Sequence, residues 1–346
     1  MPITWPKMQH PHNKAMTRNQ NQTSSLHQNH LHQARNPIII VGAVRSGTTL
    51  LRLLLDHHPD IHFLGEFEAA VSQLKQPKQF VNLDWFAKWI AQDRQTLQYN
   101  FQLPEHAADY PAFIHNLTLQ AAERSNKSHL GFTIHTNFHR CPDLWPDARY
   151  IHIIRDPRDV ANSCVRMGWE GNVWQAANTW THAQTKWNKL KNQITPDQFY
   201  QLTFESLLEN PVEKLQQICS FLNIQYNPSM LEFHHDTTYA PIDASLANQW
   251  QRKLTPRQCE LIELRCSPLM QQFGYTPTST NPPPPNPLQQ CHYYINHKLR
   301  RIHFNLKRFG LPLYLAWQCS KPLSINNPLR KRVHRRINQI NAKHIK

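Results

Sequence analysis

Pro37-Ile38-Ile39-Ile40-Val41-Gly42-Ala43-Val44-Arg45-Ser46-Gly47-Thr48-Thr49-Leu50-Leu51 runs from an unbroken apolar stretch through a glycine-framed loop into residues of helical character. A short apolar run bounded by glycine fits a strand buried on both faces, and the helix continues from Leu50 to Asp56. The loop between them reads as a phosphate cradle, because backbone N–H groups at a helix start attract an anion. Gly42 and Gly47 stand five apart, as in the G-x-x-x-x-G-K-[ST] nucleotide loop, but Thr48 takes the place of the lysine. The one base in the loop is Arg45. That lysine serves the β- and γ-phosphates of a triphosphate, so its loss points to a nucleotide whose anionic group is shorter.

A second stretch repeats the pattern. Ala148-Arg149-Tyr150-Ile151-His152-Ile153-Ile154-Arg155-Asp156-Pro157-Arg158-Asp159-Val160-Ala161-Asn162-Ser163 is an apolar strand that ends in arginine and passes into a helix. In an open parallel sheet ligands bind outside the carboxyl ends of the strands, so Arg155 and the Gly42 loop are expected to face one crevice. Ser163 follows on the helix and can offer its hydroxyl to the same anion.

The pair Arg45 to Leu51 and Ile153 to Ser163 resembles the sulfotransferases that use 3′-phosphoadenosine 5′-phosphosulfate (PAPS). The resemblance covers about residues 37 to 275. It implies an α/β fold of three layers, a central, mostly parallel sheet flanked by helices. It also implies that Arg45, Ser46, Gly47, Thr48 and Thr49 hold the 5′-phosphosulfate, and that Arg155 and Ser163 hold the 3′-phosphate. Gln201 to Pro211 and Cys219 to Ile224 resemble a further family stretch, in which Phe204 replaces the usual tyrosine. Trp250-Gln251-Arg252-Lys253-Leu254 resembles the segment that closes over the nucleotide, which makes Arg252 and Lys253 further cofactor contacts. Sulfuryl transfer by in-line displacement builds negative charge on the leaving oxygen, and Arg45 with the loop amides is placed to stabilise it. No metal is expected.

The acceptor hydroxyl or amine must lose a proton, so a general base is required. Two candidates stand open. His135, in Gly131-Phe132-Thr133-Ile134-His135-Thr136, resembles in position the catalytic histidine of cytosolic sulfotransferases, with Thr133 where their lysine stands. Glu66, in Leu64-Gly65-Glu66-Phe67-Glu68, resembles the glutamate region of tyrosylprotein sulfotransferases, and a one-residue shift would bring in Glu68.

Length and charge divide the rest. Residues 1–36, rich in His, Gln, Asn and Pro, are expected to be disordered, 37–275 to form the catalytic domain, 276–290 a Pro-rich linker and 291–346 a basic tail. Val173 to Leu190, with Trp174, Ala177, Trp180 and Trp187 at helical spacing, reads as an amphipathic helix with tryptophans in the core. The formal net charge of +15 comes from the ends, since the 23 acidic residues all lie between Asp56 and Glu263, against 18 Lys and Arg there. Residues 291–346 hold 13 Lys and Arg, no acid, and several aromatics. Such a segment suits solvent, an anionic membrane surface or another polyanion, and no specific nucleic-acid motif accompanies it. Seven scattered cysteines and the lack of an N-terminal anchor suggest a cytoplasmic protein, soluble or peripheral to a membrane. The acceptor is left open among carbohydrate, lipid, peptide and small metabolite. Two rivals to the transferase remain at this point: a kinase using ATP on the same loop, and a non-catalytic protein that binds anions or membranes through its tail.

Overall fold

Five short apolar runs become five strands of one sheet: β1 (Ile38–Val41), β2 (Ile61–Glu66), β3 (His129–Ile134), β4 (Arg149–Ile154) and β5 (Phe199–Thr203). The computed structural model describes residues 26–344. Strand order is β2-β3-β1-β4-β5, and every neighbouring pair is parallel. Ile40 pairs with Thr133 on one side and Ile151 on the other, so β1 lies at the centre. A parallel sheet is covered on both faces, which is why the central strand β1 reads as a continuous hydrophobic run.

The side-chain period of two divides those runs between two cores. Ile39, Val41, Phe132 and Ile134 meet Phe113, Ile114 and Leu117 of helix α2 (Tyr110–Ser125) and Trp187 of α4 (Val173–Lys191). Ile38, Ile40, Ile151 and Ile153 meet Leu51 and Leu54 of α1 (Thr48–Asp56), with Leu207 of α5 (Phe204–Glu209) and Leu215 of α6 (Pro211–Leu222). Three layers result, as expected. A third cluster joins α3 (Pro157–Arg166), α4 and α7 (Pro256–Cys266) through Val160, Trp180 and Ile262. Trp180 and Trp187 are fully buried and Trp174 nearly so, in keeping with their reading as core; truncating one such ring to Ala costs about 3–5 kcal/mol.

Two boundaries differ from the expectation. Residues 1–25 of the segment expected to be disordered lie outside the described residues, but 26–35 are helical. Ala34 is buried, and its carbonyl accepts hydrogen bonds from Thr118 Oγ1 and Trp145 Nε1, both 3.1 Å. A helix end leaves carbonyls without intrahelical partners, and here the domain supplies them. The second boundary concerns the C-terminal part, where the basic tail is helical, as α8 (Pro287–Phe309), α9 (Leu311–Ser320) and α10 (Pro328–His344). α8 begins inside the expected linker, with a capping box formed by Asn286 and Gln289. The preceding prolines are tied down as well: Arg257 donates to the Pro283 carbonyl at 3.1 Å, and Thr278 donates to the Glu263 carboxylate at 3.0 Å. Among the described residues no helix is long and apolar enough to cross a membrane.

Candidate functional site

Gly42 follows β1 where the chain must pass close to β4, and a Cβ there would lie 2.3 Å from the Ile153 carbonyl oxygen. Glycine is required by that contact. Gly47, at φ +93°, caps α1 without a side-chain hydrogen bond, and a Cβ there would stand 2.2 Å from the Phe204 ring. The first-turn N–H groups of α1 therefore stay open toward the loop, which is the arrangement that receives an anion. Arg45 takes a left-handed conformation, φ 71°, unusual for a side-chain-bearing residue. Two contacts hold it there: Nε donates to Ser163 Oγ at 3.0 Å, and the guanidinium sits 5.7 Å from the Trp169 ring centroid.

Arg155 closes the other side of the crevice. It donates through Nη1 to the Arg45 carbonyl at 3.4 Å and through Nη2 to the Leu246 carbonyl at 2.7 Å, while its guanidinium lies 4.4 Å from the Phe204 ring centroid. The phenyl ring thus serves as a platform for the arginine, a role that needs no hydroxyl. A cavity of about 750 Å³ opens between these groups, walled by Arg45, Gly47, Thr48, Thr49, Arg155 and Ser163. Ser46 Oγ and Arg155 Nε are buried without a protein partner. Two arginines, the hydroxyls of Thr48, Thr49 and Ser163, and an uncapped helix start fit an anionic nucleotide.

The second wall was not visible in the sequence. Thr238 to Gln249 lines the cavity opposite the β1 loop, together with Asn162 and Arg166 of α3. Asp159 braces it, accepting from the backbone N–H of Gln249 at 3.2 Å and Trp250 at 2.7 Å, and pairing with Arg155 at 3.4 Å. Burial raises the Asp159 pKa above its usual value despite the Arg155 charge. Trp250 in turn covers Arg158, whose guanidinium lies 3.6 Å from the indole centroid and pairs with Asp156 at 2.6 Å and Glu263 at 2.9 Å. Arg252 and Lys253 are turned elsewhere, toward the Ser245 carbonyl and the Gln249 side chain, and neither lines the cavity.

Both candidate bases meet on the other side of the β1 loop. Because β2 and β3 are neighbours, Glu66 at the end of β2 reaches His135 just past β3, with Oε1 3.7 Å from Nε2. His135 Nδ1 lies 3.1 Å from the Gly42 carbonyl, which accepts its proton and fixes the ring against the phosphate loop. Burial pulls the His135 pKa down, but its pairing with Glu66 and the charge of Glu68 outweigh it, so the imidazole stands above its usual value. Glu66 moves the opposite way: its pairing with His135 holds the carboxyl below the ordinary range against the effect of burial. Gln95 also donates to Glu66, and Tyr99 donates to the Glu66 carbonyl. Glu68 has a different task. Its carboxylate accepts from the backbone N–H groups of His135 and Thr136 and from the Thr136 hydroxyl, which anchors the chain leaving β3. Among the described residues no group of three His, Cys, Asp or Glu is placed to hold a metal ion.

Comparison with known proteins identifies the family. The model of the "Sulfotransferase family" matches residues 37–228. A putative protein-tyrosine sulfotransferase of Caenorhabditis briggsae is 30% identical over 222 residues, covering 60% of this chain and 72% of its own. Protein-tyrosine sulfotransferase 1 of Rattus norvegicus is 24% identical over 335 residues, covering 85% of this chain and 81% of its own. Among solved structures, the sulfotransferase domain from the curacin biosynthetic pathway aligns with a TM-score of 0.49 at 20% identity, over 70% of this chain and 98% of that one. The family match runs through every strand of the sheet, from β1 past β5, and the chain belongs to the sulfotransferase family.

Proposed function

We propose that this protein transfers a sulfuryl group from PAPS to the phenolic hydroxyl of a tyrosyl residue. The observation that carries the reading is the Glu66–His135 pair, held against the anion cradle through the Gly42 carbonyl. PAPS, when bound, supplies a sulfuryl group whose bond to the 5′-phosphate oxygen breaks as the acceptor oxygen bonds to sulfur, leaving adenosine 3′,5′-bisphosphate. Arg45, Thr48 and the first amides of α1 hold the phosphate end and offset the charge that grows there. Arg155 and Ser163 take the second phosphate. Glu66 accepts the acceptor proton, and His135, tied to Gly42, orients that carboxylate.

Acidity of the acceptor decides between hydroxyl classes. A carboxylate whose pKa is held low is always in its basic form near neutrality, but it is a mild base. A phenol, with a pKa of about 10, surrenders its proton to such a base far more readily than an aliphatic alcohol does. The relatives named protein-tyrosine sulfotransferases support the same choice. Mass spectrometry of a tyrosine-containing peptide and its serine counterpart, each incubated with the full chain and PAPS, tests it. Sulfation of the tyrosine peptide alone, lowered by about 10²–10⁴ in kcat in Glu66→Gln with bisphosphate affinity retained, is expected. Equal transfer to serine, or full activity of Glu66→Gln, would contradict the reading.

A further inference from the structure

Helix α8 turns two faces in opposite directions. On one face His297 is buried, accepting from the Gly171 N–H at 3.1 Å, and Phe304 packs where a Cβ on Gly168 would be 2.3 Å from its ring. That face is fixed to the domain. On the other, Leu288, Ile295, Leu299 and Ile302 are 82%, 51%, 60% and 40% exposed. Their spacings of seven, four and three residues place them within roughly 60° of arc, about opposite His297, at 100° per residue. Leu311 and Leu315 of α9 add two more leucines, 58% and 51% exposed.

Lys298 and Lys307 flank this stripe, and no Asp or Glu occurs anywhere from 291 to 346. Together these features fit one kind of partner. A soluble polyanion would use the flanking charges but leave the leucines in water. A second copy of the chain would cover the leucines while bringing the rows of positive charge together. An anionic lipid surface takes both, with the apolar stripe at the acyl boundary and the lysines at the headgroups. We propose that the exposed face of α8, continued by α9, docks this protein in the plane of an anionic membrane surface. The buried face of α8 rests on the loop at 168–171, whose Trp169 lies against Arg45, so the docking face is joined to the anion cradle through that loop.

Sedimentation of the full chain with vesicles of phosphatidylcholine alone, or with about 30% phosphatidylserine, in about 0.15 M salt tests the proposal. Binding to the phosphatidylserine vesicles alone is expected. The double substitution Ile295→Asp and Leu299→Asp should weaken it by at least about tenfold without moving the thermal unfolding midpoint. A second variant, Lys298→Glu with Lys307→Glu, should weaken it and flatten its salt dependence. No binding to the anionic vesicles would overturn the proposal, as would binding that both variants leave unchanged. Light scattering that shows a dimer, dispersed by the Asp variant, with no vesicle binding would assign the stripe to a second copy instead. Tighter capture by duplex DNA than by vesicles would assign the charge to nucleic acid.

Discussion

The imidazole of His135 and the carboxylate of Glu66 each shift the other, and the signs set a pH window. Glu66, lowered from 4.5, contributes stability that is full above its unfolded value and lost as pH falls through the folded one. His135, raised from 6.5, contributes stability that is full below its unfolded value and lost as pH rises through the folded one. The pair should therefore stabilise the fold most between the ordinary carboxylate and imidazole values. Denaturant midpoints of the wild type and His135→Asn, measured across pH, should differ most in that interval; a constant difference from acid to alkali would refute the pairing. In kcat/KM the acid limb should lie below the ordinary glutamate value of 4.5, because Glu66 is the group that must be ionised. Read in sequence, the two residues were rivals. Only the pairing of β2 with β3 makes them one unit, and a contact between residues 66 and 135 leaves no local trace in either segment.

The turn from β1 into α1 was fully legible, because glycine spacing, an apolar strand and a following run of leucines all lie within fifteen residues. Gly47→Ala tests that reading: a methyl group there meets the Phe204 ring at a φ that side chains avoid. A loss of about 1–3 kcal/mol in unfolding free energy is expected, with weaker bisphosphate binding. An unchanged denaturation curve would mean that the loop relaxes freely. The wall from Thr238 to Gln249 was illegible for the opposite reason. It has no periodicity, and its position depends on Asp159 reaching two backbone N–H groups about ninety residues away. Asp159→Ala should raise the bisphosphate Kd by about tenfold or more, since it frees both the wall and Arg155. Equal affinity in calorimetry would show that the wall stands without it. Arg252 and Lys253 were expected in this site because Trp250 to Leu254 resembles the segment that closes over the nucleotide. In the fold Trp250 faces Arg158, and the two cations fall on the outer side.

Charge and composition announced a basic C-terminal part but not that it is helical and docked. A polar helix with scattered aromatics resembles a tail in sequence, and its docking relies on two glycines of the distant 168–171 loop. Gly171→Ala places a Cβ 2.5 Å from the His297 backbone, so it should lift α8 and loosen the loop that carries Trp169 against Arg45. A rise of about two- to tenfold in bisphosphate Kd is expected, with accelerated proteolysis between 276 and 290. Resistance to protease equal to that of the wild type would contradict the docking. The helix at 26–35 was missed for a similar reason, as the buried part of it amounts to little more than Ala34 and Gln33.

Calorimetric titration of the full chain with adenosine 3′,5′-bisphosphate in metal-free buffer, beside ATP with magnesium, bears most directly on the anion cradle. Binding of the bisphosphate in preference to ATP, weakened by Arg155→Ala at least about tenfold or 1.4 kcal/mol, is the predicted result. Preference for ATP with magnesium, or bisphosphate binding indifferent to Arg155, would contradict the account.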